Sequence, residues 1–477
     1  MRKNCFMLSF LLACCINLLA SSCNGKTDNT PSDTPISTIE SSHPEEQQVS
    51  IVDEKPTSNL PDGNITVVWN EETVEIDVAN NLRDKTKAHF NGAHVRVLID
   101  ESYREDVQME VKGKSSNGSL FMDGKCPLKL VLNGLALTNP DSAAINIQDG
   151  KNIHVELAKG TKNELTDGLR GKDNDSDSHK AAFFIHGHAT FSGAGTLTIN
   201  GKVKHGYQSD EYTVLNLGDG AIVVNSDKAD AFHVKQYLKM QGGTLTAKAT
   251  ESCIDVSKTK SENDELNGQF IMEGGVVTAT SKGKASKTVK VDDKLSMNGG
   301  KLVATTSGEA YYDHQKEDIV SAAAVKCTTF SMAGGEVSLL AKGDGGKGLN
   351  TDGNIEVKGG TLYVVTTGSK YEFDAETDTK PHGIKSDGDI TLAGGEVRVA
   401  VESKKATSIK TDWKIFTNGA NVMAVGGKAF KTSSKSTHES KTGKVNVTEG
   451  GTVTFEGVSI NLPKDFNRED AFVLVSK

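Results

Sequence analysis

A doublet of glycines recurs through the C-terminal half of the chain, and its spacing leaves few folds open. The first glycine of each copy falls at Gly242, Gly274, Gly299, Gly334, Gly359 and Gly394, and a weaker copy, Gly419-Ala420, follows; the steps are 32, 25, 35, 25, 35 and 25 residues. Recurrence at periods of this size marks stacked supersecondary units. In the best copy Ile390 and Leu392 precede the glycines and Val397, Val399 and Val401 follow them, with Thr391, Glu396, Arg398 and Ala400 in the gaps. Alternation with period two describes strands that bury one face, and the glycines let the chain bend between them. A third short strand is read at Gly383-Ile384-Lys385, before the turn at Asp387-Gly388. Short strands at this spacing, without a helix-length apolar run, predict an all-β chain wound as a parallel β-helix, a solenoid that is right-handed like other parallel crossovers. Leu362, Val364, Val397 and Val399 are expected inside, and Thr361, Tyr363, Glu396 and Arg398 outside.

The start of the chain has a different character. Met1-Arg2-Lys3 is followed by a short apolar run from Phe6 to Ala20, which reads as a secretory signal rather than a spanning helix. Leu19-Ala20-Ser21-Ser22-Cys23 looks like a bacterial lipobox, with Ala20 standing where most lipoboxes carry Leu and Cys23 as the residue to be lipidated. Leu11-Leu12-Ala13-Cys14 also fits, with a very short apolar core. The next residues, to about Pro61, are rich in Ser, Thr, Asp, Glu and Pro and read as a tether. The expected plan is a signal peptide over 1–22, a disordered tether over 23–61, the β-helix over 62–461 and a C-terminal cap over 462–477. The expected location is the cell envelope or outer membrane, periplasmic or surface-exposed, with membrane contact through the lipid only.

A formal charge of −9 speaks against nucleic acid, which needs a basic face. Cys126, Cys253 and Cys327 are too scattered for a disulfide framework or a zinc site and read as buried small hydrophobes. Ile65–Trp69 and Val74–Val78 alternate and are expected to start or cap the solenoid, because an open strand edge invites aggregation.

The N-terminal half carries an ordered set of motifs: Leu130-x-Leu132-Asn133-Gly134, Ala144-Ile145-x-Ile147, Gly160-Thr161-x-Asn163-x-Leu165-x-Asp167-Gly168 and Ser192-Gly193-x-Gly195-Thr196-Leu197-Thr198-Ile199, followed later by Gly383-Ile384-Lys385-Ser386-Asp387-Gly388-Asp389-Ile390. Over roughly residues 90–457 this succession resembles the clostridial-type carbohydrate-binding β-helix proteins, which are related in fold to pectate lyases. The resemblance implies binding of cellulose-like and acidic plant polysaccharides, with bound calcium and without catalysis. Asp230-Ala231-Phe232-His233 and Ala323-Ala324-Val325-Lys326 depart from the Asp-Gly-Ile turn of that pattern.

Counting back from the glycines places Asp292, Asp352, Asp387 and Asp412 in one column, with Cys327 at that place in one repeat. Carboxylates on rungs about 4.8 Å apart need compensation. Calcium, with Asp352, Asp387 and Asp389 among its oxygens, is one answer. The other is a lysine column, Lys290, Lys385 and Lys410, two residues before three of the aspartates. The two 35-residue steps carry insertions at one register, Gly308–Asp318 and Gly368–Asp378, two rungs and hence roughly 10 Å apart. Tyr311, Tyr312, Tyr371 and Phe373 there could stack sugar rings, and Asp374 and Asp378 could hold calcium; equally, the loops could pack their aromatics on the solenoid. Asp173–Asp177 imitates the start of a calcium loop but lacks its later ligands, and His186 and His188 share a strand face.

Binding without chemistry is the first functional reading, with polysaccharide as the partner of a monomer, at a site that includes Lys385 and the four aromatics. A calcium-dependent polysaccharide lyase and an adhesin-like spacer are the alternatives. A lyase needs a base beside bound carboxylates, and within the repeats only Arg398 offers an outward arginine.

Overall fold

The structure, a computed structural model, describes residues 57–150, 152–168, 180–260, 264–417, 419–432, 440–441, 445–446, 451–455 and 458–462. The signal, the lipobox with Cys23, the Asp173–Asp177 loop and nearly all of the C-terminal cap lie outside the described residues. So does the tether, except for its last few residues, and these are folded. Ser58 exchanges two hydrogen bonds of 3.0 Å with the Asn80 side chain, so the folded part begins before residue 62.

The fold is all-β; among the described residues there is one 3₁₀ segment, Asn80–Lys85. Among the described residues 36 strands join one continuous sheet. Its core is parallel: each strand of a repeat pairs with the equivalent strand of the next. Three such ladders run through the Gly-Gly region. One passes through Ile254–Ser257, Lys287–Met297, Ala323–Met332, Lys347–Thr351, His382–Ser386 and Thr407–Thr411. Another takes the strand before the glycines, Ile355–Val357, Ile390–Leu392 and Ile415–Phe416. The third takes the strand after them, Glu336–Ala341, Thr361–Thr366, Glu396–Val401 and Asn421–Val425. Among the described residues antiparallel pairing is confined to hairpins: Asn64–Asn70 with Thr73–Val78 and Thr86–Asn91 with Ala93–Ile99 at the N-terminal end, Gly451–Phe455 with Val458–Leu462, and the two insertions.

The alternation follows from burial. Leu362, Val364, Val397 and Val399 are fully enclosed, while Thr361, Tyr363, Glu396 and Arg398 are only partly covered on the other face. The second glycine of the doublet carries the bend. Gly395 has φ 76°, and a Cβ there would stand 2.5 Å from the Gly360 carbonyl oxygen one repeat away. Cys126, Cys253 and Cys327 are free and buried.

One register expectation is overturned. Cys327 pairs with Val291 and Thr351 and points into the core, so Thr328 takes the place in the aspartate column. The cause is a register shift opposite Val291–Lys294, where the strand Ala323–Met332 is one residue shorter than its neighbours on both sides. Thr328 Oγ1 closes the gap by donating to the Asp292 carbonyl, 2.9 Å away.

Candidate functional site

The corrected register lengthens the lysine column. Lys290 pairs with Lys326, Lys326 with Asn350, Asn350 with Lys385, Lys385 with Lys410 and Lys410 with Lys431. Beside it runs a second column: Lys287, Ala323, Lys347, His382, Thr407 and Lys428. From Lys326 onward these columns line a cleft of about 720 Å³, bordered by ten lysines and one carboxylate, Asp378. The returning arms of both insertions wall it, with Ile319, Val320 and Ser321 from one and Thr379 and Lys380 from the other.

The insertions are two hairpins, Tyr311–Asp313 with Asp318–Val320 and Tyr371–Glu372 with Asp378–Thr379. Each is tied to the sheet by a lysine of the second column. Lys347, buried, donates to the Gly345 carbonyl at 3.0 Å, to Thr379 Oγ1 at 3.0 Å and to the Lys380 carbonyl. Lys287 does the same for the first hairpin, donating to the Ala285 carbonyl at 2.7 Å and to the Ser321 carbonyl. Burial, then the charges of Lys385, Lys410 and Lys287, push the Lys347 ammonium down to about 7. Burial, then Lys326, Lys316 and Lys290, bring Lys287 to about 8. Burial and the nearby lysines hold His382 well below its usual value.

The two hairpins meet. Tyr312 and Phe373 stack with centroids 3.9 Å apart and planes 9° apart, and His314 sits edge-on to both. The roughly 10 Å separation expected from two rungs therefore does not hold at the hairpins, which lean together as their rings exclude water between them. The stacked faces are closed to a ligand, and Phe373 keeps 43% of its surface exposed. Tyr371 packs over Gly345, its Cβ 3.1 Å from where a Cβ on that glycine would lie. Tyr311 pairs with Val320 on the first hairpin.

The aspartates mostly have partners of their own. Lys385 pairs with Asp387 at 2.7 Å and Lys326 with Asp352. Asp389 accepts from the Lys414 backbone at 3.1 Å. Asp374 accepts from the Glu376 and Thr377 backbone at 2.9 and 2.7 Å, a turn-type bond, and Asp378 pairs with Lys370 at 2.9 Å. His186 and His188 diverge to separate carboxylates, Asp210 at 3.2 Å and Glu211 at 2.6 Å. Among the described residues the one group of three possible metal ligands is His205, Asp230 and His233. Counting from the glycine doublets could not find it, because those doublets begin only at Gly242. Trp413, 55% exposed, also escaped a reading centred on the insertions; an exposed tryptophan beside a turn aspartate was the available signal.

This is an all-β fold with a lysine-lined cleft and two projecting hairpins, and comparison specifies the class. The model of the carbohydrate-binding domain-containing protein family matches residues 104–375, more than half of the chain. The chain belongs to that family. A carbohydrate-binding domain-containing protein of Acetivibrio thermocellus is 34% identical over 98 residues, which span 20% of this chain and 34% of the relative; the match thus covers about a third of that curated relative. A solved structure, the polysaccharide lyase-like protein from C. thermocellum as its gadolinium derivative, aligns with TM-score 0.44 and 21% identity, covering 51% of this chain and 92% of that one.

Proposed function

We propose that the protein is a right-handed parallel β-helix that binds an acidic polysaccharide in the lysine-lined cleft without cleaving it. The observation that carries this reading is the direct pairing of Lys385 with Lys410 and of Lys410 with Lys431 across neighbouring strands. Like charges directly opposite destabilise a sheet, so the column costs stability that a bound polyanion would restore. Family membership supplies the ligand class, and the charge selects its acidic members. Isothermal titration with polygalacturonate and with an uncharged glucan, at low and high salt and with and without chelator, tests it. Polygalacturonate should bind more weakly as salt rises and be indifferent to chelator. Equal, salt-independent binding of the uncharged glucan would sink the electrostatic reading and move the site to Phe373 and the other aromatics. Abolition by chelator would put calcium, held by carboxylates such as Asp352, Asp387, Asp389, Asp374 and Asp378, in place of the lysines.

The lyase alternative has one observation in its favour, the lowered Lys347. Its Nζ, however, is engaged by three oxygens and buried, which suits a post that holds the hairpin better than a base that must receive a substrate proton. Unsaturated product appearing by absorbance on incubation with polygalacturonate would reverse that judgement.

The lowered lysines also predict a pH dependence. The unfolded chain keeps lysine protonated up to about 10.5, whereas folded Lys347 releases its proton near 7. Between these values the unfolded state binds more protons, so stability should rise with pH from about 7 to about 10.5 and level off at its lower value below about 7, where both states hold the proton. Polyanion binding should weaken over the same rise, because the cleft loses charge. Melting of Lys347→Met across this range should show a flatter slope than wild type; identical slopes would remove Lys347 from the account.

Attachment to the membrane through a lipid on Cys23 is part of the same reading, the residues beyond it serving as a tether. Cys23→Ala should move the protein from the membrane to the soluble fraction, since stable anchoring needs the acyl chains. Unchanged sedimentation with membranes would exclude it.

A further inference from the structure

His205, Asp230 and His233 form a compact donor set away from the cleft. His205 lies on the strand His205–Ser209 and His233 on its parallel neighbour Phe232–Lys235. Asp230 stands just before the latter strand. Both imidazoles turn their Nδ1 edges to one oxygen, Asp230 Oδ2, at 3.4 Å from His205 and 3.2 Å from His233. The three donor atoms lie within 4.8 Å of one another. We propose that this trio is a binding site for a zinc-type divalent cation, tying two successive repeats together.

Four features support it. First, ligands about 2.0–2.1 Å from a tetrahedral zinc are about 3.3–3.4 Å from each other, which matches both carboxylate-to-imidazole distances. Second, His205 Nδ1 is buried and makes no hydrogen bond; the carboxylate beside it lacks the alignment for one. A buried polar atom left without a partner is costly, and a metal would remove that cost. Third, the carboxylate is already oriented, because its other oxygen, Oδ1, accepts from the Ser252 backbone N–H at 3.1 Å. Such fixing of a ligand by an outer contact is a regular part of metal sites. Fourth, the rings stack with centroids 4.6 Å apart, an arrangement open to neutral imidazoles, the form that binds metals.

A further carboxylate stands beside the trio. Asp255 pairs in register with His233, and its carboxylate is bridged by Lys290 at 2.9 Å. Two nitrogens and one carboxylate suit zinc better than calcium, which takes six to eight oxygens. The fourth position falls to water.

The full chain, stripped of metal, should bind one equivalent of zinc chloride by titration calorimetry, and cobalt chloride in its place should give the visible absorption of a tetrahedral ion. His205→Ala, His233→Ala and Asp230→Asn should each weaken zinc by at least about 100-fold, since even outer-shell changes cost 10–100-fold. The double variant His186→Ala/His188→Ala should bind as wild type does. Unchanged zinc affinity in the three single variants, loss confined to the control, or preference for calcium chloride over zinc would each overturn the proposal. Should the single variants fail to fold by circular dichroism, X-ray absorption of the wild-type zinc complex decides. Scattering from two imidazoles supports the site, and none refutes it.

Discussion

Val399→Asp should collapse the repeats around residue 399 while leaving the N-terminal repeats folded. Val399 is fully buried and pairs in parallel with Val364 on one side and Ala424 on the other. A carboxylate there has no cation within the core, and an uncompensated buried charge costs about 3–5 kcal/mol. In a stack where each repeat contacts only its neighbours, the loss stays near its origin. The expected result is therefore a new low-temperature transition in the melt, with early proteolysis between the third ladder and the C-terminal end, rather than a uniform shift. Val399→Thr keeps the shape and buries only a hydroxyl, so its effect should be distinctly smaller. A melt of Val399→Asp superimposable on wild type would mean that this valine does not face the core.

That prediction could be written from the sequence because burial on one face imposes period two on the strands, and the glycine doublet sets where each strand begins. Leu362, Val364 and Val397 fell inside for the same reason. The same counting misplaced Cys327, because it assumes equal lengths between the lysine strand and the doublet, and the strand Ala323–Met332 is one residue shorter there than its neighbours. Lys326 was thereby lost from the lysine column, although it pairs directly with Lys290. The meeting of Tyr312 with Phe373 was hidden for a different reason. The spacing of insertions reports the rung that each hairpin leaves, not the direction in which it leans. The His205, Asp230 and His233 trio needed the register of two repeats that lie upstream of every clear doublet, apart from any counting scheme the chain advertises.

Replacing Lys385 and Lys410 together by Gln should separate binding from stability. Both lysines line the cleft and lie directly opposite each other. Burial holds Lys410 below the ordinary lysine value, and the charges of Lys385 and Lys431 add to this against the pull of Asp412 and Asp387. Removing two mutually repelling charges relieves the sheet, at the expense of the Lys385–Asp387 pair, which is partly exposed and worth little. The double variant should therefore melt at or near the wild-type temperature. Its binding should behave otherwise. Each hydrogen bond to a charged group contributes about 1.5–3 kcal/mol, and about 1.4 kcal/mol is tenfold in affinity. Loss of two such contacts predicts at least about a hundredfold weaker binding of polygalacturonate at low salt, with a shallower dependence on salt. Binding that survives at wild-type strength while the melt falls would show that these lysines serve the fold, and would shift the recognition surface to the exposed aromatics Phe373 and Trp413.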